Sequence, residues 1–329
     1  MLDLLRAAGR FFETKIGWSK VGVVISLTII AVACYVLYHK LRDIDPARLW
    51  EALATIPNEN ILFAALFVAA GYFTLTFYDL FAVRTIGRTD VPYRICALAG
   101  FTSYSVGHNV GASAVTGGAV RYRIYSAWGI DAIDVARICF IAGLTFWLGN
   151  VAVLGIGFVL HPEAATAIDH LPEWFNRTLG VTALIILVGY VAWVWRAPRA
   201  IGRDNWIVHL PRGPLTLLQV LIGIVDLTCC ALAMYMLVPE TPHVDFLTVA
   251  VIFIAATVLG FASHSPGGLG VFDAAMLLAL WQYDREELLA GLLIFRLLYY
   301  LTPFVLSLMI LGLRELMLSL GKRGNAGTG

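Results

Sequence analysis

Two glycine-rich stretches hold most of the residues in this chain that could do chemistry. The first, from Ser103 to Tyr125, carries His108, Asn109, Gly111, the pair Gly117 and Gly118, then Arg121, Arg123 and Tyr125. A half-helix beginning near Gly117 would aim free amides and the positive end of its dipole into the protein. Arg121 adds a full positive charge one turn later, and together they would suit a phosphate. Arg121 and Tyr125 are four apart and share a helix face, whereas Arg123 points away. Arg121 is therefore expected to face a cavity. On the plainer reading, either arginine snorkels to lipid phosphates at the interface.

The second stretch, from Ser263 to Asp273, holds His264, Pro266, Gly267, Gly268 and Asp273. Pro266 suits the first turn of a new helix, where no amide donor is needed. Asp273 follows Gly268 by the same interval at which Arg123 follows Gly118. The two stretches thus put opposite charges at matching positions, which could pair directly. Asp79 and Asp226 lie inside long apolar runs, where a carboxylate costs roughly 2.5–3.5 kcal/mol on insertion scales. Each could hold the ammonium of a headgroup, bind a coupling proton, or pair with an arginine. Arg296, close to Tyr299 and Tyr300, is a partner for either a carboxylate or a lipid phosphate. His108 and His264 fall near the two glycine breaks, where hydrogen bonding is a commoner role for histidine than proton relay.

The elements that must position these residues are membrane helices. The chain of 329 residues is 60% hydrophobic and 14% charged, with a net charge of +1. A water-soluble domain of that size has nowhere to bury so much apolar surface. Apolar runs long enough to span a bilayer cover 21–38, 60–83, 133–160, 178–195, 215–238 and 288–314. The run at 21–38 is too long for the core of a cleavable leader and reads as a first span. Residues 93–130 and 246–282 are apolar but interrupted by the glycine pairs.

Loop charge sets an orientation. Arg6, Arg10, Lys15 and Lys20 precede the first span. Arg84, Arg88 and Arg94 mark the loop after the second, and Arg196, Arg199, Arg203 and Arg212 mark 196–213. Residues 161–176 and 239–245 contain no lysine or arginine. Both termini are then cytoplasmic, and each interrupted segment must begin and end on one side. About a dozen residues separate Gly118 from the next span, too few to cross about 30 Å at 1.5 Å per residue. Two re-entrant hairpins satisfy this, with broken backbone held inside protein.

The expected fold is therefore all-α: six full spans plus two re-entrant hairpins in an inverted-topology repeat. Residues 1–176 form one repeat and 177–320 the other, followed by a disordered tail at 321–329, all in a single transmembrane domain. Asp79-Leu80 in the first half matches Asp226-Leu227 in the second. Such repeats place the binding site where the two broken helices meet. The candidate binding set is Asp79, His108, Asn109, Gly117, Gly118, Arg121, Tyr125, Asp226, His264, Gly267, Gly268, Asp273, Arg296 and Tyr299. No phosphate-binding loop, zinc-binding helix motif or nucleophile elbow is present. Cys34, Cys96, Cys139, Cys229 and Cys230 sit in apolar segments and read as packed thiols. Neither a metal nor a cofactor is expected.

The run from Ser113 to Gly129, the triplet Tyr78-Asp79-Leu80, the stretch from His264 to Asp273 and that from Phe295 to Pro303 resemble the transmembrane region of lysylphosphatidylglycerol synthase, the bacterial multiple peptide resistance factor. They also resemble the uncharacterised membrane-protein family built on that region. The resemblance extends over nearly the whole chain. It implies a flippase part that translocates a polar-headed, aminoacylated phospholipid in the bacterial inner membrane. In such proteins a following soluble domain transfers the amino acid. This chain ends at Gly329, so the resemblance implies no transferase activity and the expectation is a non-enzyme. The expected partners are a membrane phospholipid, a separate lipid-modifying enzyme and further copies of the chain, with no role for nucleic acid. The rival readings are a secondary transporter of a small anion and a non-transporting subunit of an envelope-lipid pathway.

Overall fold

A computed structural model of the chain describes residues 46–111, 113–203 and 206–326. The expected first span at 21–38 and the basic residues before it lie outside these. A short helix α1 (Pro46–Thr55) leads into α2 (Asn58–Thr85), followed by α3 (Tyr93–Val110) and α4 (Ser113–Tyr125). Then come α5 (Ala132–Leu160), the short α6 (Pro162–Asp169) and α7 (Glu173–Arg196). After a strand pair, α8 (Gly213–Tyr235), α9 (Phe246–Ala262), α10 (Val271–Ala279), α11 (Arg285–Arg296) and α12 (Thr302–Ala326) complete the chain. A π-helical turn, Leu297–Leu301, joins α11 to α12.

Among the described residues, five helices are long and apolar enough to cross a membrane: Asn58–Thr85, Ala132–Leu160, Glu173–Arg196, Gly213–Tyr235 and Arg285–Arg314. Each overlaps one expected span. Their starts follow ordinary capping chemistry. Asp131, Asp245 and Asp284 accept backbone amides at the heads of α5, α9 and α11, satisfying donors that a helix start leaves open. Proline stands just before α2, α3 and α7.

The two interrupted segments are helix–break–helix pairs. Gly111, at φ 83°, ends α3 in a conformation that disfavours side chains. In the second pair His264, Gly267, Gly268 and Gly270 all have positive φ, and Pro266 opens a single 3₁₀ turn. The two breaks touch each other, since a Cβ on Gly111 would lie 3.4 Å from the Pro266 Cα.

Small residues bring the long helices close. A Cβ on Gly149 of α5 would stand 2.7 Å from the backbone of Gly223 on α8, and one on Gly180 of α7 2.8 Å from the Gly155 carbonyl. This is the close backbone approach by which helices associate where lipid supplies no hydrophobic drive. Gln219 of α8 adds a polar link, donating to the Ile141 carbonyl at 3.1 Å and the Thr145 hydroxyl at 2.8 Å. One apolar cluster joins α2, α8, α9, α10 and α11, and a second joins the end of α2 to α3, α4 and the start of α5.

Three expectations need correcting. The chain is not purely helical: Ala200–Arg203 and Trp206–His209 pair as an antiparallel β-hairpin. There the chain must reverse between α7 and α8 without a partner helix. The helix containing Gly117 and Gly118 begins at Ser113, because the positive φ at Gly111 makes the break one turn earlier. Finally, α12 continues to Ala326, six residues into the stretch expected to be a disordered tail.

Candidate functional site

Asp79 is fully buried on α2, on the stripe of buried residues that repeats every three or four positions from Ala64 to Val83. Arg121 of α4 grips it in a fork: Nε lies 3.0 and 3.2 Å from the two carboxylate oxygens and Nη2 lies 2.7 Å from Oδ2. Tyr125, one turn further on, donates its hydroxyl to Oδ1 at 2.9 Å. The expected shared face of Arg121 and Tyr125 is thus real, but it is spent on Asp79. Gly117 makes this possible. A Cβ there would sit 3.0 Å from the Ser103 carbonyl oxygen, so α4 can lie against α3. Gly100 plays the same part between α3 and α2.

The expected phosphate cradle at Gly117 and Gly118 is therefore not formed. Both glycines lie inside α4, so their amides are not at a helix start. The positive charge meant for the phosphate is neutralised by a buried carboxylate.

Asp273 forms a second ion pair. Its partner is Arg296, with Nε at 2.9 Å from Oδ1 and Nη2 at 2.6 Å from Oδ2, and not Arg123, which is exposed. The matching intervals after the glycine pairs gave the wrong partner because α4 and α10 begin at different offsets from their breaks. Asp273 also accepts the Gly270 amide at the head of α10. Arg296 donates its Nη1 to the Gly267 carbonyl at 3.2 Å, tying the second break to the last long helix.

Asp226 differs from both. It is 3% exposed on α8, it receives the Tyr78 hydroxyl on Oδ2 at 2.9 Å, and the Cys230 thiol stands 3.9 Å from Oδ1. No arginine or lysine side chain reaches it among the described residues.

Asp226 lines a cavity between the two helix breaks, with Tyr104, His108, Phe146, Phe261 and Tyr299 around it. The cavity has about 80 Å³ of room for water centres, where roughly 10–15 Å³ holds one water. His108 stacks on Tyr299 at 6.3 Å and meets Phe261 and Tyr104 edge-on at 5.4 and 5.7 Å. Its Nδ1 is buried with no hydrogen-bond partner among the described residues. Gly267, Gly268 and the exposed His264 border the cavity on the side of the second break.

The wall beside α11 depends on the π-helical turn. Such a turn leaves carbonyls without their usual helical partners. Here Tyr72 donates to the Tyr299 carbonyl at 2.9 Å and Asn109 to the Tyr300 carbonyl at 3.0 Å. These bonds hold Tyr299 and Tyr300 against the cavity. Behind Tyr300, a separate recess is lined by Asn109, Gly267, Leu297 and Arg296.

Of the expected set, then, His108, Asp226, His264, Gly267, Gly268 and Tyr299 meet at the cavity. Asn109 and Arg296 border the neighbouring recess. Asp79, Gly117, Gly118, Arg121, Tyr125 and Asp273 frame the site without lining it. Arg121 stands directly behind the wall, its guanidinium 5.0 Å from the Tyr104 ring centre. Sequence reasoning missed Tyr78, Tyr104 and Phe261. For Tyr104 a signal existed, since it precedes His108 by one helical turn. No group of three or more metal-ligating side chains comes together among the described residues.

These features define a multi-pass helical membrane protein with a buried acidic pocket. The chain belongs to the family described as the lysylphosphatidylglycerol synthase TM region, whose model matches residues 21–307. It is 32% identical to an uncharacterized protein of Synechocystis over 249 residues, 75% of this chain and 76% of that protein. It is 28% identical to the inner membrane protein YbhN of Escherichia coli, over 85% of this chain and 87% of YbhN. The phosphatidylglycerol lysyltransferase of Staphylococcus haemolyticus is 27% identical over 83% of this chain, a match spanning only 32% of the lysyltransferase.

Proposed function

We propose that the chain moves an amine-bearing, polar-headed phospholipid across the bacterial inner membrane, with the headgroup passing through the cavity between the two helix breaks. The observation that carries this reading is Asp226, a buried carboxylate with no arginine or lysine partner among the described residues, facing a cavity lined by aromatic residues. Rings and a carboxylate together attract an ammonium through cation–π and charge interactions. The acyl chains stay in the bilayer.

The architecture in this reading is six spans and two re-entrant hairpins in an inverted repeat, with both termini cytoplasmic. Helix lengths support it. The return helices α4 and α10 have 13 and 9 residues, about 20 and 14 Å at 1.5 Å per residue, well short of a hydrocarbon core of about 30 Å. The order of elements in the two halves supports it too: a long helix, a broken pair and a long helix in each. The name of the YbhN relative supports the inner membrane. The partners in this reading are the phospholipid and a separate enzyme that modifies it.

The lining of the cavity weighs against a small-anion transporter, because it offers a carboxyl group and aromatic rings and, among the described residues, no arginine or lysine side chain. Purified protein in liposomes tests the proposal. Aminoacylated phosphatidylglycerol on one leaflet should become accessible to an amine-reactive, membrane-impermeant dye faster than in protein-free vesicles, and faster than with Asp226→Asn. Equal rates in all three would refute lipid movement.

A further inference from the structure

The buried carboxylates among the described residues are Asp79, Asp226 and Asp273. Asp79 and Asp273 each hold an arginine. Asp226 is left over, in a place where an uncompensated charge is strongly disfavoured. Only two things can neutralise it there: a proton or a cation brought by the cavity's occupant.

We infer that Asp226 carries either one proton or one ammonium group, never both, so that the cavity exchanges a proton for a cationic headgroup. This inference rests on the lipid-movement reading and gives it an energy source. When the ammonium arrives, the O–H bond of the carboxylic acid breaks and the proton leaves to cavity water, while the ammonium takes its place beside the carboxylate. When the headgroup departs, water returns a proton. The buried charge is unchanged through the cycle, so the exchange itself carries no net charge into the site.

The geometry leaves room for this exchange. Tyr78 occupies Oδ2, and among the described residues Oδ1 has only the weak thiol donor of Cys230. Gly71 of α2 stands beside Oδ1, where a Cβ would lie 3.6 Å away, so that position adds no side chain against the oxygen. The cavity runs from Asp226 to the exposed His264, a route for water.

The other titratable groups around Asp226 do not replace it. Tyr72 and Tyr78 face it from α2, and Cys229 and Cys230 from its own helix. Tyr299 lines the cavity from the π turn, and Tyr104 and His108 line it from α3. Tyrosine and cysteine are neutral near neutral pH. Arg121 is shut away behind Tyr104 in its pair with Asp79. His108 is the one competitor, because its Nδ1 is unpartnered.

Calorimetry distinguishes them. Aminoacylated phosphatidylglycerol is titrated into detergent-solubilised protein in buffers of different ionisation enthalpy, with plain phosphatidylglycerol as control. The expected result is release of a single proton per aminoacylated lipid bound to wild type. Asp226→Glu should keep that release and Asp226→Asn should lose it. Binding with no proton release in wild type overturns the exchange while leaving lipid recognition intact. Release that persists in Asp226→Asn and disappears in His108→Gln overturns it in favour of the histidine. Absence of any preference for the aminoacylated lipid removes the recognition reading, and the exchange with it.

Discussion

Replacing Arg121 with methionine would strand a carboxylate inside the helix bundle. In the native protein Asp79 is fully buried and the Arg121 side chain is 7% exposed, joined by the fork at 2.7–3.2 Å. Two unit charges about 4 Å apart attract by about 4 kcal/mol at an effective dielectric near 20. Dehydration of the two ions opposes most of that, so the pair as a whole contributes little net stability. Removing one partner is different, because the other keeps its dehydration cost with only the Tyr125 hydroxyl to offset it. Arg121→Met should therefore destabilise by about 3–5 kcal/mol. The double variant Asp79→Leu with Arg121→Met should recover most of the loss, because no charge is left to dehydrate. Unfolding in sodium dodecyl sulfate, followed by circular dichroism and run as a double-mutant cycle, measures both. A loss under about 1 kcal/mol in the single variant, or a double variant no better than the single, would refute this account of Asp79.

Four further outcomes follow from the geometry. Gly149→Ala should destabilise by about 1–3 kcal/mol through overpacking, since its Cβ would meet the Gly223 backbone at 2.7 Å. Gly143→Ala in the same helix meets nothing within 4 Å and should be neutral or stabilising by up to about 1 kcal/mol; the same unfolding assay compares them. In a cysteine-free background, Ser265→Cys at the cavity border should react with a water-soluble maleimide, and added aminoacylated lipid should slow that reaction. Asp90, in the loop between α2 and α3, is lowered to about 2 by hydrogen bonding to Arg88, so carboxyl carbon NMR should show it ionised down to that pH. Because its folded value lies below the unfolded one, any stabilisation it gives is present above about pH 4 and disappears as pH falls through about 2.

Five of the six expected spans were legible from the apolar runs alone, the sixth lying outside the described residues. Spanning segments must satisfy their own backbone hydrogen bonds, so an apolar run of sufficient length has one outcome. The expected runs at 60–83 and 133–160 accordingly return as Asn58–Thr85 and Ala132–Leu160. The second interruption was legible as a break, because positive φ and proline are local constraints, whereas the first break falls at Gly111 and the expected pair Gly117 and Gly118 lies inside α4. Partner choice was not local. Asp79, Asp226 and Asp273 look alike in sequence, each a lone aspartate among apolar neighbours. Which two would receive an arginine depended on where Gly111 ends α3 and on how closely Gly117 lets α4 approach, distances set by packing across the chain. That Asp226 has no arginine or lysine beside it among the described residues is thus a product of the tertiary structure, because a carboxyl group is paired or left alone only by what the fold brings within reach of it.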